Sequence, residues 1–216
     1  MVESSLGLGI ATRRVLADVV TDDLRDAIIA HELEPGRRLA EDDLANQMGV
    51  SRGPVREALA RLEREGLVVI ERHKGARIAS WVRSDVEEIF SLRLVLEQLA
   101  IEWACRNATA ADIEAIEGVV KEFRNLTDKQ RTVKVVSQFD LDFHSAIFSA
   151  AHHDRLERAW EILRSQIHSF LIYTWNRDDS INKSLMSSWD GDHQIFVDII
   201  KKRDVEMGLK EIKAHV

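Results

Sequence analysis

Asp140 and His144 stand four residues apart in "FDLDFHSAIF", the stretch Phe139–Phe148. Four residues is about one helical turn, so on a helix the two side chains share a face. Val136, Phe139, Phe143 and Ile147 form an apolar stripe beside them. A carboxylate next to a core is costly unless it is paired or holds a cation. A carboxylate and an imidazole at i and i+4 can chelate one metal ion. The same pair serves as a metal-free Asp–His ion pair in a polar cluster, and spacing alone leaves both open.

A second constellation is basic. Between Val50 and Arg77 the cations are Arg52, Arg56, Arg61, Arg64, Arg72, Lys74 and Arg77, against Glu57, Glu63, Glu65 and Glu71. The chain as a whole carries a net charge of −7. A local basic patch on an acidic protein still suits DNA, because phosphate contacts are local. Arg52 and Arg56 also share a helical face, and arginine suits a bidentate contact with guanine.

The elements that position these residues are helical. Only two prolines and ten glycines occur among 216 residues, 45% of which are hydrophobic, so long helices around a packed core are expected. Val15, Val19/Val20, Leu24 and Ala27/Ile28 predict a first helix over about 13–31, which "EPGRRL" ends. Leu44, Ala45 and Met48 mark a short helix, Gly49 a tight turn and Val50 its apolar anchor. Ser51 suits the N-cap of the next helix, with Pro54 in its first turn, Val55, Leu59 and Leu62 on its buried stripe and Gly66 at its end. Such a hairpin is the helix-turn-helix pattern, whose second helix presents its first residues, here Ser51, Arg52, Gly53 and Arg56, to base edges. "LVVIERHKGARIAS" reads as two strands around a turn, a wing whose Arg72, His73, Lys74 and Arg77 reach phosphate or the minor groove.

Beyond Trp81 the pattern is helical throughout. Ser84-Asp85-Val86-Glu87 reads as a capping box opening a long helix with apolar positions Val86, Ile89/Phe90, Leu92, Leu96, Leu99 and Trp103. Further helices are expected over about 109–126, 133–151, 154–175 and 189–202, and from Asp204 to the end. "TDKQRT" and "NRDDSINKS" read as loops. The expected architecture is mainly α: a winged helix-turn-helix over 12–80 and an all-α antiparallel bundle over 84–216.

The single cysteine, Cys105, excludes an intrachain disulfide and a cysteine-based zinc site. "MVESSLGLGI" lacks the charge and apolar run of a signal peptide, and no stretch approaches the roughly 18 apolar residues of a membrane span. A soluble cytoplasmic protein is expected.

"VSRGPVREALARLEREGLV", preceded by "LAEDDLANQMG" and followed by "KGARIAS", closely resembles the winged helix of GntR-family transcription regulators. That resemblance implies DNA contacts by Arg52, Gly53 and Arg56 and by the wing around His73–Gly75. Some family members place an arginine where this chain has Asp42, so that contact is not carried over. The helical remainder, with "SLRLVLEQLAIEWA" as its first helix, resembles the FCD effector domain of the FadR-like subfamily. In metal-binding members an Asp-x-x-x-His pair is joined by two later histidines. The matching residues are Asp140, His144, His193 and His215, and the ion implied is a divalent transition metal, Zn, Ni, Mn or Fe. His31, His152, His153 and His168 are set aside. The resemblance further implies a homodimer on a two-fold DNA operator and a small carboxylate metabolite as effector, with Arg93 as its anchor and Arg164 as a weaker candidate. Arg93 equally suits an ion pair with Glu97. A metal of purely structural role and a metal-dependent enzyme are the competing readings. No nucleophile or general-base motif accompanies the ligands, which weighs against the enzyme.

Overall fold

The computed structural model describes the backbone of residues 6–176 and 179–216, and the side chains of 16–176 and 188–216. The chain divides into two compact units, one ending at Trp81 and the other Val82–Val216.

In the first unit α1 (Leu6–Ile29) precedes α2 (Glu41–Gln47) and α3 (Arg52–Arg64). The core face of α1 is Ala17, Val20, Leu24 and Ile28, while Val19 is half exposed. Helix α3 buries Val55, Ala58, Leu59 and Leu62 against α1 and α2. Ser51 takes the extended N-cap conformation without a side-chain hydrogen bond, and Pro54 falls in the first turn. Gly66, at φ +71, lets the α3 end fold back: its N–H donates to Glu63 and that of Leu67 to Leu62. Gly49, at φ +65, closes α2 the same way, with Val50 N–H bonded to Ala45.

The wing comprises β2 (Val68–Glu71) and β3 (Gly75–Ile78), antiparallel as expected. A third strand, β1 (Arg38–Leu39), pairs with β3 and gives the order β1-β3-β2. Two residues are too few for periodicity to reveal, so "EPGRRL" reads in sequence only as a helix breaker.

The second unit contains α4 (Arg83–Asn107), α5 (Ala110–Arg124), α6 (Val133–Ala150), α7 (Asp154–Trp175), α8 (Asp179–Lys202) and α9 (Val205–His215). Helix α4 starts one residue ahead of Ser84: Asp85 accepts the Val82 N–H at 2.9 Å. Thr109 and Asp112 form the reciprocal capping box of α5. Helix α8 begins at Asp179, so most of the predicted second loop is helical, and residues 177–178 lie outside the described residues. Polar composition conceals this start, although Asp and Ser are common at helix N-termini.

One correction matters for the site. Helix α4 turns Ile89, Arg93, Glu97, Ala100, Ile101 and Ala104 to the core, whereas Leu92, Leu99 and Trp103 lie exposed. Two charged residues occupy the buried face and an apolar stripe faces outward.

Candidate metal centre and DNA-contacting helix

Helix α6 holds Asp140 and His144 inside the bundle, where they are 6% and 1% exposed. Phe143, next to His144, stacks edge-on against His193 of α8 at 4.6 Å. Trp189, one turn before His193, lies parallel to its ring at 3.9 Å. This aromatic packing fixes the His193 imidazole. His215 arrives on the last turn of α9. Asp204 caps that helix by accepting the Met207 N–H at 3.0 Å. Gly208 lets α9 approach α4, since a Cβ there would stand 3.0 Å from Ile101 Cγ1. Arg203 secures the corner by donating to the Cys105 and Ala108 carbonyls at 3.1 and 2.5 Å.

One ligand atom from each of Asp140, His144, His193 and His215 lies within 4.8 Å of the others. His144 Nε2 is 3.2 Å from His215 Nε2, and His193 Nε2 is 3.2 Å from Asp140 Oδ1. His144 Nε2 is 3.9 Å from Asp140 Oδ1. Ligand atoms about 2.1 Å from one ion stand roughly 3.0–3.4 Å apart when adjacent and about 4.2 Å when opposite, so the 3.2 and 3.9 Å separations fit a shared cation, and the widest pair would draw in by several tenths of an ångström to join it.

Proton placement points the same way. His193 Nδ1 donates to the Trp189 carbonyl at 2.6 Å, because a carbonyl only accepts. His144 Nδ1 lies 2.8 Å from Glu97 Oε2, so its proton belongs on that side. In the neutral rings both Nε2 atoms are then acceptors, and they converge on the Asp140 carboxylate, a third acceptor. A cation, or a proton on a ring, must complete such a group. Carboxylate and carbonyl partners on the far ring nitrogen are typical of metal-binding histidines.

The charge state is set by burial and neighbours. Burial opposes ionisation of Asp140, but His193, His144 and Arg93 outweigh it and hold the carboxyl well below the usual carboxylate range. Burial likewise opposes ionisation of Glu97, yet Arg93 and His144 bring it down to about 2. Burial, then the His144 and His193 rings, push His215 down to about 3, so its ring is neutral at pH 7. Arg93 Nε donates to Glu97 Oε1 at 2.6 Å, and Nη2 is 3.6 Å from Asp140 Oδ2. The ion pair with Glu97 is therefore present, and it does not remove Arg93 from the cavity. A space of about 470 Å³ is lined by Arg93, Asp140, His193 and His215, with Phe90, Trp175, Trp189 and Phe196 among its apolar walls.

The remaining sequence candidates lie elsewhere. His31 and His152 take left-handed conformations, φ 56 and 51, at helix ends. His153 caps α7, His168 meets Ser137 at 3.1 Å, and Arg164 pairs with Asp142. Glu97 is the part of the centre that the sequence does not announce as one. Its i+4 spacing from Arg93 is visible, but its approach to His144 is a tertiary contact between α4 and α6.

In the first unit Ser51, Arg52, Gly53 and Arg56 occupy the start of α3, with Arg52 and Arg56 more than 60% exposed. Arg52 pairs with Asp42, and Arg56 with Glu41, both from α2. Arg72, His73 and Lys74 form the wing turn before Gly75, with His73 at φ 68.

A helix-turn-helix with a basic wing, followed by an all-α bundle with its own cavity, is the two-part build of a DNA-binding transcription regulator. The chain belongs to the bacterial regulatory proteins of the gntR family, matched over residues 16–78, and carries an FCD domain, matched over residues 88–216. It is 27% identical over 199 residues to the gluconate operon transcriptional repressor of Bacillus licheniformis, covering 89% of this chain and 79% of that protein. It is 31% identical over 149 residues to the Nta operon transcriptional regulator of Aminobacter aminovorans, covering 68% and 69%. The fold matches Escherichia coli McbR/YncC with a TM-score of 0.71 at 23% identity, over 93% of this chain and 92% of that one. Both sequence relatives are regulators of transcription. No helix among the described residues is long and apolar enough to cross a membrane.

Proposed function

We propose that the protein is a homodimeric regulator whose affinity for a two-fold DNA operator is set by a small carboxylate metabolite, bound at a divalent metal held by Asp140, His144, His193 and His215. The carrying observation is the convergence of four potential ligand atoms beside a cavity that Asp140, His193 and His215 line together with Arg93. A bound divalent ion supplies a Lewis-acidic point for an anionic oxygen. Imidazole-rich ligation suits Zn, Ni, Mn or Fe. The protein's own residues do the rest. Glu97 and the Trp189 carbonyl orient the imidazoles, and Arg93 offers a charge-assisted hydrogen bond.

Charge supports the ligand class. Arg93 against Glu97 and Asp140 sums to −1 in the buried layer before the histidines are counted. A divalent ion brings it to +1, and one carboxylate to zero. Relatives of this chain include regulators of gluconate and L-lactate dehydrogenase operons, so gluconate and L-lactate are the first metabolites to try.

On the DNA side, Ser51, Arg52, Gly53 and Arg56 read base edges while Arg72, His73, Lys74 and Gly75 of the wing meet the backbone. A two-fold operator needs two chains, and the exposed α4 stripe of Leu92, Val95, Leu99 and Trp103 recurs at helical spacing suited to a second copy. The metabolite acts only through different affinities for the free and DNA-bound states.

The test is DNA affinity of the zinc-loaded protein with and without each carboxylate. A shift of about 5–150-fold by at least one compound, lost in Arg93→Gln, is expected. Metal that raises the melting temperature while no carboxylate alters stability or DNA affinity would instead assign the ion a structural role.

A further inference from the structure

The two-residue strand β1 carries an arginine that the helix-turn-helix pattern does not predict. Arg38 is directly opposite Arg77 in the β1–β3 register. Like charges facing each other across a sheet destabilise it. Main-chain hydrogen bonds hold them there: Gly36 N–H donates to Ile78 at 3.0 Å, and Ile78 N–H to Arg37 at 2.9 Å. The Arg38 guanidinium reaches over the wing turn, with Nη2 4.0 Å from where a Cβ on Gly75 would stand. Lys74 and Arg77 converge on the same place. Both lean on one carboxylate, Glu71, at 2.7 and 2.8 Å. Among the described residues, Arg38 is in no ion pair or hydrogen bond. Three cations thus surround a concavity of about 470 Å³ that contains one carboxylate, with His73 on its rim.

We propose that Arg38, Lys74 and Arg77 form a phosphodiester subsite that holds one backbone phosphate of duplex DNA. The assignment rests on the reading that this unit binds duplex DNA with α3 in the major groove. It adds Arg38 of β1 and Arg77 of β3, which lie outside that helix and the wing turn, to Lys74 of the turn. Convergence is the reason for phosphate over a base edge. A base edge is read by one projecting side chain, whereas three cations around a hollow match a compact, doubly oxygenated anion. The anion also relieves the Arg38–Arg77 repulsion, so the subsite is less stable empty than filled.

The probe is a random-sequence duplex pool, since the operator is not needed for a phosphate contact. Anisotropy titrations across salt compare the parent with Arg38→Gln and Arg38→Lys. One phosphate contact contributes a slope near 0.9 in log affinity against log salt, so Arg38→Gln should lower the slope by about one per bound chain. The same relation gives an affinity loss of about eightfold per chain at roughly 0.1 M salt, closing toward 1 M. Arg38→Lys should retain most of the slope. The melting temperature of Arg38→Gln should hold or rise, because repulsion is removed. Unchanged affinity and slope in Arg38→Gln would overturn the subsite. So would an altered preferred sequence, which would mark a base contact. Sequence selection from the pool by Arg52→Gln is the separate arm for the α3 reading. Loss of the preferred sequence there, with the parent's preference retained in Arg38→Gln, places the two residues in different roles.

Discussion

Replacing Glu97 with glutamine should weaken metal binding without touching a ligand. Glu97 is 2% exposed and sits between Arg93, at 2.6 Å, and His144 Nδ1, at 2.8 Å. Glutamine keeps the volume and one acceptor but loses the charge that both neighbours use. Losing an outer partner of a ligating histidine costs about 10–100-fold in metal affinity. The upper end is expected here for a second reason. Arg93 Nη2 already stands 3.6 Å from Asp140 Oδ2, and without Glu97 the guanidinium has only that carboxylate to turn to. Two ligands are then impaired, His144 in orientation and Asp140 in charge. A 100-fold loss corresponds to about 2.8 kcal/mol. The assay is competition for zinc between metal-free protein and a chromophoric chelator, with a cooperative melt showing that the variant is folded. A folded Glu97→Gln protein that binds zinc as tightly as the parent would refute the orienting role.

Three further outcomes are expected. Asp42→Asn frees Arg52 from an exposed ion pair worth about 0–1 kcal/mol, so affinity for duplex DNA should rise up to roughly fivefold per chain, and a fall would contradict the placement of Arg52 at DNA. Metal-free protein should lose stability as pH falls: His215 takes up its proton near 3 when folded against an ordinary 6.5, and Glu97 near 2 against 4.5, so in both windows the unfolded chain binds the extra proton. Stability is then full above 6.5 and declines as pH falls toward 2, with His215→Gln removing the upper part of the decline; a melting temperature flat from pH 7 to 5 would refute this. Val95→Asp puts a carboxylate into the exposed α4 stripe, where Val95 is 60% exposed, and should convert a sedimenting dimer to monomer with the bundle still folded.

The helices were legible where periodicity and caps agree. The helix starts at Thr109 before α5 and Asp204 before α9, and the stop at Gly66 after α3, each leave a local signature that the structure repeats. Three features were not legible because they depend on distant partners. The strand β1 exists through pairing with β3, not through its own two residues. The α8 start lies in a polar segment that reads as a loop. On α4 the apolar residues Leu92, Leu99 and Trp103 suggest the core face, yet the core takes Arg93 and Glu97. Those two charges are tolerated inside because they complete the polar layer around His144 and Asp140. The ligand cluster is a mixed case. The Asp140/His144 spacing is local and visible, while His193 and His215 join it only through the packing of α8 and α9. The hydrogen-bond partners behind the imidazoles carry no spacing signal.

The central claim is most directly tested by the metal content of protein purified without chelator, measured beside His144→Ala. About one divalent transition ion per chain, lost in the variant, is the predicted result. No ion in the parent after incubation with zinc, nickel and manganese would contradict the account, leaving Asp140 and the three histidines as a buried network completed by a proton.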